Sequence, residues 1–197
     1  MLGTVYLVLN KMKKILVIVY PEMNDVEYTN VMVVFSFIKT IQTTCYHHSL
    51  KKITASNGVV EVNNIVNTIN LSEFDAVYIP GGIGATKHLD KDEKLLKTIN
   101  YFKVNNLYLF AICDTPNVLF KHGIITKDEI YSSFPNPNLV MSENRSTAKV
   151  TVANKLITAR SAGCALEFAT VIVCTFLKDN TLNELVHKRL FGSEIKD

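Results

Sequence analysis

Short apolar runs recur along this sequence between polar, helix-like stretches. Ile15–Tyr20, Phe74–Ile79 and Leu107–Ile112 are rich in β-branched and aromatic residues and bounded by polar or turn-forming positions. That pattern predicts strands buried on both faces of a parallel sheet. Thr43–His48 reads as a further strand. Helices are predicted over Val26–Lys39, with Asn24 and Asp25 as cap candidates, and over Asp92–Asn105. Lys52–Ala55 and Val59–Val62 flank Ser56-Asn57-Gly58, a hairpin signal, and Lys149–Val152 and Lys155–Ala159 form a second hairpin. Ala165–Leu177 and Leu182–Arg189 close the chain as helices. His122–Ser146, broken by Pro135 and Pro137, is assigned to surface loops. Strands alternating with helices predict an α/β sandwich with a mainly parallel sheet.

At 197 residues the chain suits one domain with a substantial core. The expected layout is an extension over 1–13, dispensable or disordered, and one domain over 14–197. Met12 is an alternative start. The apolar segment 1–10 lacks a basic stretch ahead of it and a small-residue cleavage site, and is too short to span a membrane. A formal charge of +3 with scattered basic residues does not suggest nucleic acid. Cysteines 45, 113, 164 and 174 show no CxxC spacing, so no metal site is expected, and the pattern suits a reducing, cytoplasmic setting. His47 and His48, on a strand, would face opposite ways, which speaks against a joint metal site.

Cys113 carries the candidate chemistry. It ends the Leu107–Ile112 strand and precedes Asp114-Thr115-Pro116, with Thr115 a good N-cap and Pro116 a good first helical residue. A strand-to-helix turn of this kind is the geometry of a nucleophile elbow, and a helix N-terminus favours the thiolate, the reactive form. The alternative is a cysteine buried as a small apolar residue. The loops after three strands bring Glu27, Gly81-Gly82 and Cys113 to one end of the sheet, where open parallel sheets bind ligands. Gly82 N–H and Asp114 N–H are the candidate oxyanion donors. Glu27 is either a favourable charge in the first turn of its helix or a buried acid of raised pKa that shuttles a proton. Pro80-Gly81-Gly82 is alternatively a plain turn.

These residues together resemble the ThiJ/PfpI superfamily, in the branch of the parkinsonism-associated, DJ-type protein deglycases. The likeness runs through Lys14–Val19, Glu27, Phe74–Gly82, Ala111-Ile112-Cys113, Ser142–Arg145 and Ile157–Gly163. It implies a flavodoxin-like three-layer sandwich, usually a homodimer, and a redox-sensitive nucleophilic cysteine. It also implies Glu27 as the acid/base, and a turn around Arg160 and Ala162 near the mouth of the site. The implied activity is that of a cofactor-free glyoxalase III-like hydro-lyase and protein deglycase, acting on methylglyoxal-type 2-oxoaldehydes or their early adducts on protein. The alternatives are an oxidative-stress sensor or redox-regulated chaperone without significant turnover and, by family name only, a role in thiamine (thiazole) precursor metabolism. Several positions depart from the family pattern. Asp114 and Thr115 stand where small residues usually follow the cysteine, and Asp114 holds the place of the histidine of protease-like members. Phe134, ahead of Pro135, stands where the branch often has histidine. Phe37 and Asn57 stand in about the places of arginines at the pocket mouth.

Overall fold

The computed structural model describes residues 11–192. Residues 1–10 of the expected 1–13 extension and the last five residues lie outside them, while Lys13 already belongs to the first strand. Strands β1 (Lys13–Ile18), β2 (Ile41–Tyr46), β5 (Ala76–Ile79), β6 (Tyr108–Ile112), β9 (Val150–Ala153) and β10 (Leu156–Ala159) form one six-stranded sheet. Its order is β2-β1-β5-β6-β10-β9, parallel throughout except for β9, which pairs antiparallel with β10. The apolar runs are central strands for the expected reason. Ile15–Ile18, Ala76–Ile79 and Leu109–Ile112 are almost wholly shielded from solvent, and covering both faces of a parallel sheet requires helices.

Those helices are α1 (Asp25–Ser36), α2 (Ile83–Lys87), α3 (Glu93–Val104), α4 (Thr115–Lys121), α5 (Ala165–Leu177) and α6 (Leu182–Phe191). Helix α1 packs on α5, while α3 and α4 pack against β6. Phe35, Tyr78 and Phe168 meet edge-on or tilted in the core between α1, β5 and α5. Asn24 caps α1, its side chain accepting from the N–H groups of Val26 and Glu27. Asp25 does something else: its buried carboxylate accepts the N–H groups of Asn57, Val59 and Val60, tying the first hairpin to the start of α1. That hairpin is short, β3 (Ile53–Thr54) on β4 (Glu61–Val62).

Two expectations are corrected, and one helix is added. The segment 122–146 is not all surface loop: β7 (Tyr131–Ser132) pairs with β8 (Arg145–Ser146), and Tyr131, Ser132 and Ser133 are fully buried. Side-chain bonds to distant backbone hold this segment, which local propensity does not reveal. The helix after Pro80-Gly81-Gly82 was not foreseen, because five residues are too few to show a period. Strand β2 ends at Tyr46, so His47 and His48 lie beyond it and do not alternate. Their rings stack at 4.7 Å. Among the described residues no helix is long and apolar enough to cross a membrane.

Candidate active site

The carboxyl ends of β5 and β6 and the first turn of α1 converge on Cys113. This residue has φ +65°, a left-handed conformation that strains a side chain with a Cβ by about 1–3 kcal/mol. Its neighbours hold it there. Its N–H donates to Ala159 O of β10 at 3.0 Å, and its carbonyl accepts Phe134 N–H at 2.8 Å. The turn is thus an elbow, as predicted. Its cap differs: Asp114 is the N-cap of α4, Thr115 begins the helix and Pro116 follows. Thr115 Oγ1 turns inward instead and donates to Pro80 O at 2.6 Å.

The same carbonyl accepts a hydrogen bond from the buried Tyr20 hydroxyl. Two donors therefore hold the oxygen of the Pro80–Gly81 peptide, and its N–H points the other way, to Glu27 Oε2 at 2.7 Å. Gly81 is required by close approach: a Cβ there would lie 2.5 Å from Cys113 Cβ and 2.6 Å from Glu27 Oε2. Gly82 is required by its conformation, φ +97°, and by Asn24 N, 2.6 Å from where its Cβ would be. Gly82 N–H faces the Cys113 sulfur and favours its anion.

Glu27 is completely buried. Tyr78 Oη donates to its backbone carbonyl at 3.0 Å and pins this turn of α1. Burial pushes the carboxyl up to about 7, while the Cys113 thiol and Gly81 N–H pull the other way. Its second oxygen, Oε1, has no hydrogen-bond partner among the described residues. Burial, together with the negative charges of Glu27 and Asp114, pushes the Cys113 thiol up as well. This corrects the expectation from the helix N-terminus alone. Two carboxyls and a dry site outweigh the dipole of a seven-residue helix. Cys113 and Glu27 titrate as a coupled pair, and the charged form of each disfavours the charged form of the other.

The remaining expected residues are placed unevenly. Asp114 adjoins the thiol, with Oδ1 accepting from Asn136 Nδ2 at 3.1 Å. Arg160, just past β10, gives its guanidinium to Thr147 O at 2.9 Å. Ala162 begins the short turn that leads into α5, and among the described residues no hydrogen bond joins either residue to Cys113. Cys164 is buried, 3.8 Å from Ser161 Oγ. Sequence reasoning missed Tyr20, Tyr78, Asn117 and Ser133. Asn117 Nδ2 donates to Phe134 O, and Ser133 Oγ donates to Asn117 Oδ1 while accepting from Arg145 Nε. These bonds latch the 133–136 loop to the elbow, and no local motif announces partners so far apart in sequence.

A second cluster lies elsewhere. His47, His48 and Asp92 bring potential ligand atoms within 4.8 Å of one another. His47 Nδ1 accepts the N–H groups of Leu50 and Ser49 at 3.0 and 3.2 Å. The neutral ring therefore carries its proton on Nε2, the atom a metal would need. His48 Nε2 bonds Asp92 at 2.8 Å, and Asp92 also caps α3. Hydrogen bonding accounts for the trio. Cavities of about 540 and 680 Å³ lie around Phe37 and Arg189 and around His48 and Lys91, and neither is lined by Cys113, which is buried.

The fold recurs in known proteins. The structure matches Drosophila melanogaster DJ-1beta with a TM-score of 0.77 and 26% identity, over 91% of this chain and 97% of that one. The Drosophila protein DJ-1alpha is 26% identical over 165 residues, 81% of this chain and 76% of that protein. The MG029 homologue of Mycoplasma pneumoniae is 65% identical over 108 residues, 55% of this chain and 100% of that protein. The sandwich is the flavodoxin-like fold of these neighbours. The DJ-1/PfpI family model matches residues 13–175, and the chain belongs to that family.

Proposed function

We propose that this chain is a cofactor-free, cysteine-dependent glyoxalase that also acts as a protein deglycase on early adducts of 2-oxoaldehydes. The observation that carries this reading is the pairing of a strained cysteine with a wholly buried carboxyl whose pKa is about 7. An acid poised near neutrality can both give and take a proton. As the Cys113 sulfur adds to the aldehyde carbon of methylglyoxal, its proton is lost to water. Gly82 N–H and Asp114 N–H hold the oxyanion, which is then protonated to a hemithioacetal. Glu27 carboxylate next removes the C1 hydrogen as a proton, and the electron pair moves into an enediol. A proton returned to C2 gives a thioester on Cys113. Water cleaves the C–S bond, releasing lactate and the thiol.

Phe134 in place of histidine leaves Glu27 as the acid/base in this scheme. The Cys113–Asp114 pairing likewise speaks against a Cys-His peptidase. Four unpaired cysteines support a cytoplasmic setting, and Val26 and Val33, exposed on α1, support a homodimer.

The experiment is a product assay. Metal-free protein should convert methylglyoxal and related 2-oxoaldehydes to 2-hydroxy acids, and Cys113→Ala should convert none. Equal conversion by both would refute the reading. A redox-sensor reading is favoured by one observation, that the Glu27 carboxyl beside Cys113 is raised to about 7, so that its protonated form is available to stabilise an oxidised sulfur. It predicts reversible or stepwise oxidation of Cys113 by dilute peroxide without methylglyoxal turnover.

A further inference from the structure

Asp114 occupies the N-cap of α4, a position where an aspartate ordinarily accepts helix N–H groups, yet its side chain makes no such bond. Its carboxyl is 8% exposed as a residue and turns toward Asn136, a neutral partner at 3.1 Å. The two charged groups that act on Cys113 are both acids, Glu27 and Asp114. The arginines of neighbouring segments bond neutral oxygens, and among the described residues neither forms an ion pair with Asp114. Arg145 donates from Nε to Ser133 Oγ and from Nη2 to Ser133 O, and Arg160 donates to Thr147 O. Phe134, whose N–H holds the Cys113 carbonyl, is 41% exposed and adds an uncharged ring beside the elbow.

A carboxylate in a poorly solvated crevice creates a field that water screens little. We propose that Asp114 is the charge filter of this site: its carboxylate, held by Asn136 beside Cys113, admits uncharged and cationic carbonyl compounds and turns away carboxylate-bearing ones. Neutral 2-oxoaldehydes and adducts on amine-bearing groups fit this field. The same field favours departure of the product, because the reaction turns a neutral aldehyde into a carboxylate. The substrate class rests on the glyoxalase reading above, whereas the filter itself concerns any reagent that reaches the Cys113 sulfur.

The test uses three methanethiosulfonates, methyl, trimethylammonioethyl and sulfonatoethyl, which are neutral, cationic and anionic. Each transfers its thioalkyl group to the thiolate and releases methanesulfinate. Rates at the Cys113 peptide are read by mass spectrometry and normalised to a small free thiol. The cationic-to-anionic ratio cancels any change in the thiolate fraction. Wild type should favour the cationic reagent, and the ratio should fall about tenfold in Asp114→Asn, which retains an acceptor for Asn136. Added salt should lower the wild-type ratio toward that of the variant. An equal ratio in wild type and variant overturns the proposal. Should Asp114→Asn fail to fold, a wild-type ratio no higher than that of the free thiol overturns it equally. A shifted ratio without methylglyoxal turnover would leave the filter standing and remove the glyoxalase. Turnover with an unshifted ratio would do the reverse.

Discussion

Replacing Glu27 by glutamine should make the protein more stable at neutral pH. Burial lifts the carboxyl from the ordinary 4.5 to about 7. Between those values the folded chain keeps a proton that the unfolded chain has lost, so stability falls as pH rises through this window. The group costs nothing well below pH 4.5 and its full amount above about 7. At about 1.4 kcal/mol per tenfold change in ionisation, the full cost is about 3 kcal/mol, of which about 2.5 kcal/mol develops between pH 5 and 8. Glutamine keeps the oxygen that accepts Gly81 N–H and removes the titration. Urea unfolding of both proteins at pH 5 and pH 8 isolates the effect, because other titrating groups cancel in the difference. The margin of Glu27→Gln over wild type should be about 2–3 kcal/mol larger at pH 8 than at pH 5. An unchanged margin would mean that Glu27 ionises normally, and the proton-shuttle argument would lose its basis.

Two further substitutions test the geometry. Gly81→Ala puts a methyl group 2.5 Å from both Cys113 Cβ and Ile112 O, so thermal or urea unfolding should show a loss of at least about 2 kcal/mol, with slower Cys113 alkylation. Tyr20→Phe removes one of the two donors on the Pro80 carbonyl. It should cost about 1 kcal/mol in unfolding and lower kcat more than it changes KM, because the misaligned peptide holds Glu27 less well.

Most of the sheet was legible because its strands carry unbroken apolar runs, and the α5 limits agree with the sequence pattern because its end is marked by a change to Lys178-Asp179-Asn180. The elbow was legible too, since Pro116 just inside a helix after a buried strand leaves few alternatives. Less legible was the environment of the thiol. A helix start suggests a lowered pKa, but the balance depends on how deeply Glu27 is buried and where the Asp114 side chain turns, both set by tertiary packing. Tyr20 and Thr115 act on one carbonyl from positions 60 and 35 residues away, which no window of sequence displays. The buried 131–133 segment was read as loop because its support comes from Thr158, Thr151 and Arg145 side chains rather than from a long ladder.

The central claim is that Cys113 binds the aldehyde and Glu27 then moves the proton. It is tested most directly by intact mass spectrometry of Glu27→Gln held with methylglyoxal, alongside lactate release from wild type. The variant should carry the mass of one bound methylglyoxal on the Cys113 peptide and release no lactate, while wild type releases lactate and accumulates no adduct. Lactate release by Glu27→Gln at the wild-type rate, or an unmodified Cys113 in both proteins, would contradict the account.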